Sequence, residues 1–188
     1  MCFALFSYSQ KCKFKVDKID DFSKKRFILC NSERVIVQKS ITDIPSYGGL
    51  GVSRFLLMEK SKFICALNLE YSDSSIYLRF NFSEKDKNLA SYIKKIYIIL
   101  DDSAKSVYWF EQPNNTYHES NGKIDESILS YKLNDKCISM LKINKIVKMR
   151  LQCDGMKQYD FEIKDKARDC LIDQFNCLSS LNLGTRPF

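Results

Sequence analysis

Between Ile143 and Leu181, strict alternation of apolar and polar residues gives way to recurrence at three- and four-residue steps. Val147, Met149, Leu151 and Cys153 alternate with Lys148, Arg150 and Gln152. After Asp154-Gly155, Tyr159, Phe161 and Ile163 alternate with Asp160 and Glu162. Such alternation predicts an antiparallel hairpin with one buried face and one wet face. All its apolar residues are odd-numbered, so the numbers of facing residues must add to an even total. The loop then holds an odd number of residues or a bulge, with Gly155 supplying the positive φ it uses. The same parity sets Lys148 and Arg150 against Asp160 and Glu162, where opposite charges contribute about 0.2–1 kcal/mol per pair. These four charges read as a mutually neutralised, solvated face rather than a ligand site. Ala167, Cys170, Leu171, Phe175, Leu178 and Leu181 then form one apolar stripe, which predicts a closing helix with Asp165 as its cap. Gln174 falls inside that stripe and Ile172 outside it. Gly184 and Pro187 end the helix and leave a loose tail.

Upstream the chain is strand-rich. Arg26–Cys30 and Arg34–Gln38 are β-type runs separated by the turn signal Asn31-Ser32. Ile41–Gly51, with Pro45 and Gly48-Gly49, reads as a loop. Phe55–Met58 and Phe63–Tyr71 read as strands, and Ser72–Ser75 turns the chain into Ile76, Leu78, Phe80 and Phe82. Ser83 with Asp86 offers a capping box for a helical turn before Ile93. Ile96–Leu100 and Val107–Phe110 flank Asp101–Ala104 as a hairpin, apolar on both faces and therefore expected to be central or covered. Pro113–Lys123, rich in Asn and Ser, is the longest loop and the candidate boundary. Beyond it Ile128–Leu133 forms a strand, and Asn134 caps a short helix that carries Ile138 and Leu141 inward. The expected class is α+β: an antiparallel β region over residues 11–112, then a strand-helix-strand-strand-helix unit over 124–183. That unit is either part of one domain or a small second subdomain.

Composition narrows the picture little. The 188 residues are 45% hydrophobic and 28% charged, enough for one real core and too apolar for wholesale disorder. The formal charge is +7, and residues 1–40 hold nine Lys/Arg against four Asp/Glu. The excess is mostly scattered lysine with no nucleic-acid motif beside it, so a nucleic-acid partner is disfavoured. No run of 18 apolar residues is present, so no helical membrane span is expected. Residues 1–10 are apolar, aromatic and uncharged, then meet Lys11-Cys-Lys-Phe-Lys15. They read as the remnant of a signal peptide, cleaved near Ser9 or Gln10, or else as a first buried strand.

Candidate chemistry is sparse. Eight cysteines and one histidine offer no C-x-x-C and no zinc spacing. Cys170 and Cys177 lie about 10 Å apart along one helix, too far to bond each other. Cys65 and Cys153 fall on buried strand faces, and a Cys12–Cys30 pair is conceivable. His118 lies in a polar loop with no nucleophile placed beside it. Asp101-Asp102 lacks the further oxygen ligands of a calcium loop and reads as a turn. Gly48-Gly49-Leu-Gly51 lacks the spacing of a phosphate or dinucleotide loop. No metal set and no cofactor motif emerges. Tyr108-Trp109-Phe110 with Pro113 and Tyr117 is the one cluster with binding character. Tyr108, Trp109 and Tyr117 form either a recognition surface or ordinary core, and a sole tryptophan is expected in the core.

The order of Val16-Asp-Lys-Ile-Asp-Asp-Phe-Ser-Lys24, the hairpin strands, the Ile-x-x-Ile-Val-x-Met-Arg-Leu run from Ile143, Tyr159-Asp-Phe-Glu-Ile163 and Phe175-Asn-Cys-Leu178 resembles a group of uncharacterised exported proteins of Bacteroidetes type. The resemblance implies envelope or secreted placement and carries no activity with it. The function expected is that of a non-catalytic exported protein acting by binding to a protein or envelope component. The alternatives are a cytosolic nucleic-acid-binding module and a Cys-dependent enzyme.

Overall fold

The computed structural model describes residues 14–38, 63–84, 92–120, 125–154 and 158–181. Predictions for Ile41–Gly51, Phe55–Met58, the first ten residues and Gly155 lie outside the described residues. Within them the protein is α+β, mostly antiparallel sheet with two helices in its carboxy-terminal part.

One sheet has seven strands. β1 (Phe14–Ile19), β2 (Arg26–Cys30), β4 (Phe63–Ser72), β5 (Ser75–Glu84), β9 (Asp125–Lys132) and β8 (Asn115–Ser120) lie side by side in that order, and β3 (Glu33–Gln38) also pairs with β4. The second sheet has four strands, β11 (Gln158–Glu162), β10 (Ile146–Cys153), β6 (Ile93–Leu100) and β7 (Val107–Glu111). Every pairing is antiparallel. Strands from both sides of residues 113–123 meet in both sheets: β9 pairs with β5, and β10 with β6. The sheets face each other through aromatic contacts, Phe63 stacking on Phe161 and Phe110 meeting Phe80 and Tyr131. One continuous apolar cluster fills the space between them.

The β10–β11 hairpin has the predicted parity. Lys148 faces Glu162, Met149 faces Phe161 and Arg150 faces Asp160, and the last pair, Gln152 with Gln158, leaves an odd number of residues in the loop. Met149 and Phe161 are buried, as is Ile163 just beyond the strand. Helix α1 (Asp135–Leu141) starts where the capping residue predicts, with the Cys137 amide donating to Asn134 Oδ1 at 2.8 Å and Ile138 and Leu141 buried.

Three expectations need correction. Residues 113–123 are not all loop, because 115–120 form β8 along the edge of the larger sheet. The Asn114 amide donates to the Ser130 carbonyl, and Asn114 Oδ1 accepts from the Lys132 amide at 2.6 Å, so a polar stretch is drawn into the ladder. Asp165 does not cap the last helix. It opens a 3-10 turn over Asp165–Ala167 and pairs with Arg168 at 3.0 Å, and helix α2 (Cys170–Ser180) begins only after Asp169. Ser83 is a strand residue paired with Ile64 and Glu126; the turn expected after it lies outside the described residues.

Asn31-Ser32 marks an interruption rather than a hairpin. β2 and β3 do not pair with each other; both run along the same edge of β4, Leu29 opposite Glu70 and Glu33 opposite Leu67. Three residues, Cys30 to Ser32, therefore stand opposite only Asn68 and Leu69, and the ladder breaks. Gln174 of α2 fills the break. Its Oε1 accepts from the Leu69 amide at 2.6 Å and its Nε2 donates to the Leu67 carbonyl at 3.4 Å. Asn68 Nδ2 donates to the Cys30 carbonyl at 3.2 Å. Gln174 is thus buried on the apolar stripe because it replaces a missing strand partner, flanked by buried Cys170, Leu171, Phe175 and Leu178.

Replacing Gln174 by Leu keeps the apolar volume but orphans one buried donor and one buried acceptor. A loss of about 1–3 kcal/mol is expected, read as a lower urea midpoint at unchanged slope. An unchanged midpoint would show that the amide does not hold the helix to the sheet.

Candidate functional site

Alternation along β6 and β7 places one set of side chains in the core and the other outside. Ile96, Ile98, Leu100 and Phe110 are buried. The outer face therefore carries Tyr97 and Ile99 from β6, and Val107, Trp109 and Glu111 from β7. Register lines these up in rows across the sheet: Asp160, Arg150, Tyr97 and Trp109 form one, and Glu162, Lys148, Ile99 and Val107 the next.

Trp109 is 62% exposed, which corrects the expectation of a core tryptophan. The reason is position: β7 is an edge strand, and Phe110 already takes the inward place beside Phe80 and Tyr131. The expectation of a central or covered hairpin holds for β6, which lies between β10 and β7, and fails for β7, where Val107 is exposed as well. Tyr97 lies opposite Trp109 in a non-hydrogen-bonded pair, the arrangement in which cross-strand side chains approach most closely. Tyr97 donates its hydroxyl proton to Gln152 Oε1 at 2.9 Å, which fixes the ring on that face.

The three predicted aromatic residues do not converge on one surface. Tyr108, next to Trp109 in the strand, turns to the opposite face and packs against the core, and burial raises its hydroxyl pKa. Tyr117 is exposed on β8 of the other sheet, opposite Ile128 on the face turned away from the core. Tyr97 was missed by sequence reasoning. Its signal was its even spacing from Ile99 on a strand whose alternate residues from Ile96 onward, Ile96, Ile98 and Leu100, are apolar.

Charge on the outer face of the smaller sheet is matched base to acid. Arg150 grips Asp160 with two hydrogen bonds of 2.5 and 2.7 Å, and the guanidinium holds the Asp160 carboxyl below its ordinary range. Lys148 pairs with Glu162 at 2.6 Å, and Lys95 pairs with Glu111. At these exposures the pairs contribute little stability, but they leave the aromatic row without a net positive field.

The outer face of the larger sheet is polar instead. Arg79 pairs with Glu70 at 2.8 Å, and Asn81 donates to Asn68 Oδ1 at 2.7 Å and to the Ala66 carbonyl at 3.2 Å. Arg79 Nε and Ser130 Oγ are buried without a hydrogen-bond partner. Through Asn68 this network reaches the Cys30 carbonyl at the ladder break, which gives it a structural role.

Four of the described cysteines have thiols shifted away from the nucleophilic form. Burial pushes the Cys30 and Cys170 thiols up to about 12, and raises Cys65 and Cys137 as well. The thiolate is the reactive form, so burial disfavours reaction at these groups at neutral pH. Cys30 is a buried free thiol, which excludes the Cys12–Cys30 pair, and Cys65 and Cys153 are core residues. Cys177, on the last turns of α2, is disulfide-bonded. His118 lies on β8 opposite Ser127 rather than in a loop. Asp101 and Asp102 belong to the β6–β7 turn, the first paired with Lys105 and the second accepting from the Ser106 amide at 2.7 Å. Among the described residues no three His, Cys, Asp or Glu side chains gather to hold a metal, and no helix is long and apolar enough to cross a membrane.

The chain matches no protein-family model, and no curated protein or solved structure is significantly similar to it.

Alkylation of the native protein at neutral pH is expected to leave Cys30, Cys65 and Cys170 unmodified until denaturant is added. Fast modification of any of the three in the folded state, followed by peptide mapping, would contradict the burial argument.

Proposed function

We propose that the protein is a non-catalytic exported binding protein that engages a protein or envelope component through the outer face of its four-stranded sheet. The observation that carries this reading is Trp109, exposed on a sheet face opposite Tyr97 and flanked by neutralised charges. Exposed tryptophan and tyrosine are the residues that most often anchor interfaces, since they add large contact area with little rotamer entropy. The raised thiols weigh against a Cys-dependent enzyme, and the matched charges on this face weigh against a nucleic-acid module.

Trp109 is the sole tryptophan, so its fluorescence reports directly on the face. Titration of the full chain with a cell-envelope fraction is expected to shift its emission to the blue and shield it from iodide. Trp109→Ala is expected to weaken retention on the same fraction by tenfold or more, the loss of an interface anchor, with an unchanged circular dichroism spectrum. Equal retention of the variant, or substrate turnover abolished by one point mutation, would overturn the reading.

A further inference from the structure

Two stretches of the chain read Asn-x-Ser/Thr with a middle residue other than proline, Asn81-Phe82-Ser83 and Asn114-Asn115-Thr116. That triplet is the acceptor signature for an N-linked oligosaccharide. The fold treats its two copies oppositely. Asn81 lies on β5 inside the larger sheet, between Ala66 of β4 and Ile128 of β9. Its Nδ2 carries two hydrogens and donates to the Ala66 carbonyl at 3.2 Å and to Asn68 Oδ1 at 2.7 Å. The side chain is half-buried beside the buried Asn68, and both of its donors are used. Asn114 and Thr116 are exposed where the chain enters β8, the last strand of the same sheet. The Asn114 amide donates to the Ser130 carbonyl at 2.7 Å, and its Oδ1 accepts from the Lys132 amide at 2.6 Å. A backbone amide is met by the oxygen of the side chain, so this contact turns Nδ2, the atom that takes a sugar, away from Lys132.

We infer that Asn114 is an acceptor for an N-linked oligosaccharide and that Asn81, which carries the same triplet, is not. Modification in the cell rests on the exported reading, because the donor, an oligosaccharide linked to a lipid diphosphate, is met in an export pathway. In the transfer Asn114 Nδ2 forms a bond to the anomeric carbon of the sugar, and the bond from that carbon to the phosphate oxygen breaks. The lipid diphosphate leaves with the electron pair, and Nδ2 gives up one proton. The product keeps the side-chain carbonyl, so the contact of Oδ1 with the Lys132 amide survives modification. At Asn81 the product would keep a single N–H for two acceptors, and either the Ala66 carbonyl or Asn68 Oδ1 would lose its partner. Transfer there also requires the sheet to open, because Nδ2 is engaged on both of its hydrogens.

The test incubates the folded full chain with a purified oligosaccharyltransferase and its lipid-linked donor, and peptide mapping locates the sugar. Synthetic peptides spanning each triplet serve as the unfolded reference, and both are expected to accept it. In the folded chain transfer is expected at Asn114, and at Asn81 it is expected to be slower by about a hundredfold or more, since it waits on local opening. Thr116→Ala should abolish the modification at Asn114, Thr116→Ser should retain it, and Ser83→Ala should leave it unchanged. Absence of transfer to Asn114, in the chain or in its peptide, or equal transfer to the two asparagines of the folded chain overturns the inference. The assay supplies both enzyme and donor, so its failure counts against Asn114 and leaves the exported reading standing. Failure of envelope retention leaves the acceptor standing.

Discussion

One buried backbone amide, that of Leu69, sets how the carboxy-terminal helix meets the larger sheet. An extra residue between β2 and β3 leaves this amide and the Leu67 carbonyl without strand partners, in a place water does not reach. Leaving such groups unpaired costs about 1–3 kcal/mol each, a large share of the stability of a small domain. The Gln174 side chain carries the same donor and acceptor as a peptide group and takes both positions. Its place on the helix therefore fixes the axial position of α2 against β4. The apolar neighbours Leu171, Phe175 and Leu178 then follow into the core. Hydrophobic burial supplies the driving force, and the amide supplies the register.

That division explains what was legible in the chain. Period-two alternation announced the β10–β11 hairpin, and parity alone gave Lys148 against Glu162 and Arg150 against Asp160, because a one-residue slip would turn Met149 and Phe161 to water. Asn134 announced α1 through a side chain that competes for backbone amides. Partner choice was not legible. Arg26–Cys30 and Arg34–Gln38 look like the arms of a hairpin, yet both bond to β4, since nothing local distinguishes a turn from a bulge at Asn31-Ser32. β8 was hidden because an edge strand exposed to water needs no alternation, and its Asn and Ser residues mimic a loop. Gln174 looked like an error in an apolar stripe and proved to be the residue that the broken ladder requires.

The candidate site was legible in part for the same reason. The aromatic run at Tyr108 to Phe110 is visible in the sequence, but which ring faces water depends on the strand standing at the sheet edge. Phe110 fills the core between Phe80 and Tyr131, so Trp109 is turned outward toward the row of Tyr97 and Arg150. The matched charges beside it come from the hairpin register, which the core imposes. A packing decision on the inner face thus builds the surface on the outer one. Tyr117, similar in sequence context, is carried by a different sheet and takes no part in it.

The most direct test of this account is amide hydrogen exchange at Leu69. Its amide has no strand partner, so any protection reports the Gln174 contact and the docked helix together. The account predicts that Leu69 exchanges only with global unfolding, as slowly as its ladder-bonded neighbour Glu70 and with the same dependence on denaturant. Exchange at Leu69 as fast as in the exposed turn at Asp73, with Glu70 still protected, would contradict it.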